Sequence, residues 1–309
     1  MIKNHTNMKK NFVMALLCLF AVSCSNETIE NDNVVINAEK ATVPVTVRVS
    51  GFSITMERIP SEGGTMRAAE SADSYTDAKA IVLAFYSGNT EVYKTAQYKA
   101  DPSTYTTFGE FTCNLPVGDY TMVAIAYNHF AGDEFTLTSP TVAAYTSQRP
   151  RETFAKTQAV TVASATPLDL NVTLNRINAH LNIVSTDGRT AEATKIKTTY
   201  SKAGKGFNPT TGLATSDTGF WVTNSPSANV GSTIDIYSCA FLATDEELVD
   251  VTIQALDADD NVLVTKFVPN VPLQRNRKTK LTGTVYTGGS ASSSFQLETT
   301  WLDQTDISF

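Results

Sequence analysis

Cys24 is the residue with the clearest chemistry in this chain. The run Ala21-Val22-Ser23-Cys24 closes an apolar stretch, Phe12 to Val22, which follows the positive start Met8-Lys9-Lys10. That stretch is roughly half of the ~20 residues a membrane-spanning helix needs, so it reads as a bacterial-type export signal and not as a span. Small Ser23 suits a peptidase pocket, and the Cys24 thiol can carry a diacylglycerol before cleavage exposes its amine. Residues 1–23 are therefore expected to be a lipoprotein signal peptide. The lipid bilayer becomes a partner through N-terminal acyl chains, of which two or three anchor stably at ~0.8 kcal/mol per buried methylene.

Elsewhere the material for chemistry is poor. Of three histidines, His129 and His180 remain in the mature chain, one at a loop start and one on the polar phase of a strand, and both read as surface groups. No H-E-x-x-H, G-x-S-x-G, phosphate cradle or C-x-x-C is present, so no catalytic residues, metal site or cofactor are expected. Asp257-Ala258-Asp259-Asp260-Asn261 starts like a calcium loop, but Val262 stands where the glycine belongs and Val268 where the bidentate glutamate belongs. It reads as a hairpin turn. Cys113 and Cys239 lie far apart in apolar runs and read as small buried side chains, with a bridge between them left open. Trp221 and Trp301 could stack on a sugar ring, although buried aromatics are commoner.

The formal charge is −7, and loss of Lys3, Lys9 and Lys10 with no acid takes the mature chain to −10. Such a chain does not suit nucleic acid, whose phosphates demand clustered cations.

The elements that position these groups follow a period of two. Residues 24–41 carry Glu27, Glu30, Asp32 and Glu39 with little bulk, which makes a solvated acidic tether. Val43, Val45, Val47 and Val49 then alternate with polar residues, and after Gly51 the phase slips to Phe52, Ile54 and Met56, as at a bulge or between two successive strands. Further strands are predicted over 81–86, 91–98, 108–115, 120–127 and 168–174. The pattern starts afresh at Ile177, with strands over 177–183, 234–241, 249–256, 262–268, 279–286 and 295–301. Residues 204–227 are expected to form a long loop anchored by Phe220-Trp221. Short strands with Gly/Pro turns imply antiparallel sandwiches with few, brief helices. The expected domains are 42–174 and 175–309, closely joined because no loose linker separates them.

Several segments carry a resemblance: the lipobox, the valine strand, Thr65-Met66-Arg67-Ala68, Leu115-Pro116-Val117-Gly118-Asp119-Tyr120, Leu174-Asn175-Arg176-Ile177 and Val271-Pro272-Leu273-Gln274-Arg275-Asn276. In their order and spacing the chain resembles the fimbrillin-like proteins of Bacteroidetes, subunits and anchors of the type V pilus. The acids after Cys24 also resemble the surface-export signal of lipoproteins from that phylum. The resemblance implies two tandem transthyretin-like β-sandwich domains. It implies lipid attachment at the cell outer membrane, exposed at the surface or in a fimbrium, with other fimbrial subunits as partners and host or bacterial surface ligands as candidates. It further implies cleavage after an arginine and assembly by strand exchange. Arg67, in a polar stretch after Gly63-Gly64, is the candidate processing site; Arg58 is its rival, but Ile59-Pro60 follow it. Val43, Val45, Val47 and Val49 are the candidate donor strand, since they point one way. A glycan-binding surface lipoprotein using Trp221 is the alternative.

Overall fold

Alternation governs the fold from its first strand onward. β1 (Thr42–Ser53) buries Val43, Val45, Val47 and Val49 on one face and exposes Pro44, Arg48 and Ser50 on the other. This computed structural model describes residues 41–53, 72, 74–130, 135–163, 166–288 and 296–300. Cys24, Arg58, Arg67 and Trp301 lie outside them, as do the signal and almost all of the tether.

The strands that follow are β2 (Ala80–Ser87), β3 (Thr90–Tyr98), β4 (Glu110–Pro116), β5 (Gly118–Tyr127), β6 (Phe135–Ser139), β7 (Val142–Tyr145), β8 (Thr153–Val162) and β9 (Leu168–Arg176). β10 (Ala179–Ser185), β11 (Lys195–Tyr200), β12 (Gly206–Phe207), β13 (Phe220–Asn224) and β14 (Asp235–Ala240) come next, then β15 (Glu246–Leu256), β16 (Val262–Gln274), β17 (Lys278–Gly283) and β18 (Gln296–Thr300). Among the described residues the one helical element is the short 3-10 turn Pro102–Thr104. The protein is all-β, as expected.

A seven-stranded sheet runs β3-β2-β5-β8-β9-β1-β4. Its inward side chains form one core in which Val45 and Val47 of β1 join Leu83 and Phe85 of β2 and Met122 of β5. Two four-stranded sheets, β14-β10-β17-β18 and β13-β11-β15-β16, make a sandwich. Leu181, Ile183 and Leu281 from one sheet share a core with Ile196, Val251 and Ile253 from the other. A small sheet, β12-β7-β6, and a third cluster draw on both stretches of chain: Val82, Val123 and Tyr145 meet Ile177, Phe207 and Phe241. Arg176 ends β9 and Ala179 opens β10, with two residues between them.

Local signals fix the connections. The β2–β3 hairpin turns at Gly88, whose φ of +61° is open to glycine at no steric cost. At the β15–β16 hairpin, the Asp257 carboxylate accepts the backbone N–H of Asp259 and of Asn261, both by Oδ1 (2.9 and 2.8 Å), so this acidic run is a turn. Two expectations need correction. Residues 204–227 are not one long loop, since they contain β12 and β13; Phe220 does anchor the segment, stacked on Tyr200 at 4.9 Å. His180 is not a surface group, because its side of β10 is covered as well.

Candidate functional site: the slot of the first strand

β1 occupies an interior position with a ladder on each side. It pairs antiparallel with β4, setting Val43 opposite Leu115, Val45 opposite Cys113 and Val47 opposite Phe111. On the other side it runs parallel to β9, setting Val45, Val47 and Val49 opposite Leu168, Leu170 and Val172. The phase slip is a bulge: Val49 faces Val172 and Gly51 faces Thr173, which leaves Ser50 as the extra residue. The bulge returns Phe52 to the valine face, where it is fully buried.

What holds this strand is chiefly apolar. Burying each valine contributes about 1.5–3 kcal/mol, so the four valines and Phe52 together account for roughly 10 kcal/mol, an upper figure because unfolded chains already bury some surface. On the outer face Arg48 reaches Glu110 of β4 at 3.3 Å and Asp169 of β9 at 3.2 Å. These exposed pairs contribute less than about 1 kcal/mol each.

The far end of β1 meets a polar cluster. Phe52 contacts the rings of Tyr75 and Phe154 at 5.4 and 4.8 Å. Phe52 and Tyr75 flank the segment that carries Arg58 and Arg67, so the chain before residue 54 and the chain after residue 73 are held side by side. The Tyr75 hydroxyl donates to Glu152 Oε1 at 2.8 Å and accepts from Arg176 Nη2 at 3.0 Å, and Arg176 pairs with Glu152 at 2.5 Å. Arg176 Nη1 also donates to Asn276 Oδ1 at 3.3 Å, which ties β9 to the turn before β17.

Burial raises the Tyr75 hydroxyl well above its ordinary value, and the Glu152 charge adds to this. Burial opposes the charge of Arg176, but Glu152 and Tyr75 outweigh it and the guanidinium holds its proton more tightly than usual. Removing one member of such a buried pair costs about 3–5 kcal/mol. Sequence reasoning missed this cluster. The signal was there, because Arg176 falls on the inward phase of Val172 and Leu174.

Each of the four valines is seated in this slot. Cys113 and Cys239 are both unpaired and buried. Burial pushes their thiols up to about 11 and about 12, so both are neutral and unreactive at physiological pH. His180 packs on Tyr237 at 4.8 Å; burial, then the charges of Lys278 and Arg176, pushes it down to about 3, so it stays neutral. Trp221 does stand out from the surface, on the outer face of β13 with Lys197 Nζ 5.1 Å from its ring. It lies in one row with Thr199, Thr252 and exposed Phe267 across four strands.

Among the described residues, no cluster of His, Cys, Asp or Glu is built to hold a metal. No helix among them is long and apolar enough to cross a membrane.

Several solved structures are similar to this chain. A candidate adhesin from Bacteroides ovatus is 10% identical, with 87% of this chain and 96% of that one covered at a TM-score of 0.49. Candidate polysaccharide-binding proteins from Bacteroides thetaiotaomicron are 10% identical, with 84% and 99% covered at 0.49. The fimbrial anchor protein Mfa2 from Porphyromonas gingivalis is 10% identical, with 78% and 91% covered at 0.47. No curated protein sequence matches. A family model described as a family of unknown function, DUF6562, matches residues 42–305.

Proposed function

The chain belongs to the family of unknown function DUF6562, and we propose that it is a lipid-anchored subunit or anchor of a cell-surface fimbrium, assembling by β-strand exchange without enzymatic turnover. One observation carries this reading. An N-terminal strand fills an interior slot between β4 and β9, is held there mainly by apolar side chains, and is followed directly by the stretch that contains Arg67. Cleavage after Arg67 leaves β1 seated without a covalent link to the strands beside it. A strand from a neighbouring subunit then satisfies the same backbone donors and acceptors while its alternate side chains fill the valine pockets.

Acylation of Cys24 and the acidic tether keep the precursor on the outer membrane, facing outward. The domains 42–174 and 175–309 act as one stiff unit, with the buried Arg176–Asn276 contact and the third core cluster supporting that stiffness. A glycan-binding lipoprotein is the second reading, supported by the exposed ring of Trp221.

Treating the purified precursor with an arginine-specific protease tests the proposal. The expected outcome is a new N-terminus at Ala68 and a ladder of oligomers resistant to detergent. An uncut N-terminus with no oligomer ladder favours the anchor or a non-polymerising relative over a stalk subunit. Complete cleavage at Arg67 with a product that stays monomeric rules out strand exchange.

A further inference from the structure

The slot of β1 changes character along its length. Directly opposite residues of neighbouring strands share a face and touch. Up to the bulge these neighbours are mainly aliphatic: Val43 has Leu115, Val45 has Cys113 and Leu168, Val47 has Phe111 and Leu170, and Val49 has Val172. Contact of this kind has no direction, and branched aliphatic side chains of similar volume replace one another there at small cost.

Beyond the bulge the wall becomes aromatic. Phe52 lies opposite Leu174 and sits against Tyr75 and Phe154, with ring centres 5.4 and 4.8 Å away and planes inclined by 53° and 48°. Tyr75 and Phe154 meet each other edge to face at 5.3 Å. Three rings thus close on one another in a place from which solvent is excluded. Tilted and edge-to-face ring pairs are worth roughly two- to tenfold in an equilibrium constant beyond the area they bury.

The two wall rings are held in place. The Tyr75 hydroxyl is caught between Glu152 and Arg176. Phe154 is fixed through its backbone, which pairs with Ala126 of β5 and with Arg176 of β9, and the Arg176 guanidinium carbon lies 5.2 Å from its ring centre. That cation is itself paired with Glu152, so the stack of Phe52, Phe154 and Arg176 ends on a buried charge that cannot withdraw without leaving a partner unpaired. A leucine in the place of Phe52 loses both ring contacts, and a wall fastened in this way closes poorly around the space left over. The four valine positions of the slot therefore accept a class of side chain, while the position of Phe52 asks for a flat ring.

That difference names the partner. Resting on the strand-exchange reading above, we propose that the Phe52 pocket is the specificity-determining end of the slot, and that the strand it receives from a neighbouring subunit carries an aromatic residue three positions after its last aliphatic one, as Phe52 follows Val49. A strand that is aliphatic throughout fits the valine positions and is held weakly at this one.

Two measurements test the assignment. In the uncleaved chain, Phe52→Leu is expected to raise the unfolding equilibrium constant about thirtyfold, and about threefold in the Phe154→Leu background, a coupling of about tenfold. Near-ultraviolet circular dichroism checks that each variant folds. The second measurement uses the chain treated with an arginine-specific protease. Synthetic strands of residues 42–53, in parent form and as Phe52→Leu, compete with β1, and release of the amino-terminal fragment is read by mass. The parent strand is expected to displace β1 at least about tenfold more effectively than the Phe52→Leu strand. Equal displacement by both overturns the assignment and leaves strand exchange standing, as does an effect of Phe52→Leu that is the same within about twofold in both backgrounds. A chain that is not cut, or that yields β1 to neither strand, removes strand exchange at this slot and the assignment with it. Where Phe154→Leu does not fold, the competition decides.

Discussion

β1 and β10 hold equivalent places in two stretches of the same chain. Each opens its stretch and lies between a late strand running parallel to it and a middle strand running antiparallel: β9 and β4 for β1, β17 and β14 for β10. Their fastenings differ in kind. The inward side of β1 is valine and phenylalanine, and its outward side offers the exposed ion pairs of Arg48 and one hydrogen bond, from the Ser50 hydroxyl to the Val172 carbonyl at 3.3 Å.

β10 also buries Ala179, Leu181 and Ile183 in a core, and to this it adds directional bonds. Asn182 Nδ2 donates to the Ile236 carbonyl at 3.1 Å, and the Ser185 hydroxyl accepts from Ile234 N–H at 2.8 Å. Just past its end, the Asp187 carboxylate gathers the N–H groups of Val285, Tyr286 and Thr287 and the Thr287 hydroxyl, at 2.7–2.9 Å. Apolar contact has no direction and any side chain of similar size can supply it, whereas a set of fixed hydrogen bonds belongs to one sequence. The same topological place thus holds one strand fastened by its side chains mainly through apolar contact and one fastened through side-chain hydrogen bonds as well.

Substitutions in the two strands test that contrast. The largest effect is expected at β1: Val47→Asp places an unpaired carboxylate in the core and should cost above about 4 kcal/mol, read from the urea midpoint of the uncleaved precursor. A loss below about 1 kcal/mol would show that β1 contributes little to the core.

At β10 the expected effect is intermediate and depends on pH. Burial pushes the Asp187 carboxyl up, but the hydrogen bonds from Val285, Thr287 and Tyr286 outweigh it and hold the group below the ordinary carboxylate value. Its folded value is therefore lower than its unfolded value of about 3.9. The contribution is complete above that unfolded value and is lost as pH falls through the folded one. Asp187→Ala should cost about 2 kcal/mol near neutrality, allowing for solvent screening of a partly exposed group. The gap in melting temperature between the variant and the parent should close on acidification below about pH 4. A gap that stays constant down to acid pH would remove the carboxylate from the fastening. The smallest effect belongs to Arg48→Ala, expected below about 1 kcal/mol and further reduced by salt, because both of its partners are solvated.

Much of β1 was legible because its two faces are chemically distinct: four valines against Pro44, Thr46, Arg48 and Ser50, with the slip at Gly51 visible as a change of phase. Less could be read where a strand is covered on both sides or puts a polar residue inward. β8 opens with Thr153, Phe154 and Ala155 all buried in succession, so no alternation marks it. In β11 the inward residues are Ile196, Thr198 and Tyr200, and the buried threonine disguises the stripe. β13 has five residues inside a Gly/Ser/Thr-rich run. His180 was misjudged for the same reason, since the polar phase of β10 faces other side chains and not water. The walls around Phe52 meet only through tertiary folding, with Tyr75 and Arg176 separated by 101 positions.

The extra residue Ser50 gives the slot of β1 something like a reading frame. The pockets fall at spacings of two from Val43 to Val49 and then at three, to Phe52. A strand that alternates without interruption can match the four valines or the phenylalanine, never both, and a one-residue slip inverts every side chain. Under the proposed strand exchange, an incoming strand would be screened by parity as well as by size, and a sequence motif of the form apolar-x-apolar-x-apolar-x-apolar-x-x-apolar is the password that this groove would accept in full.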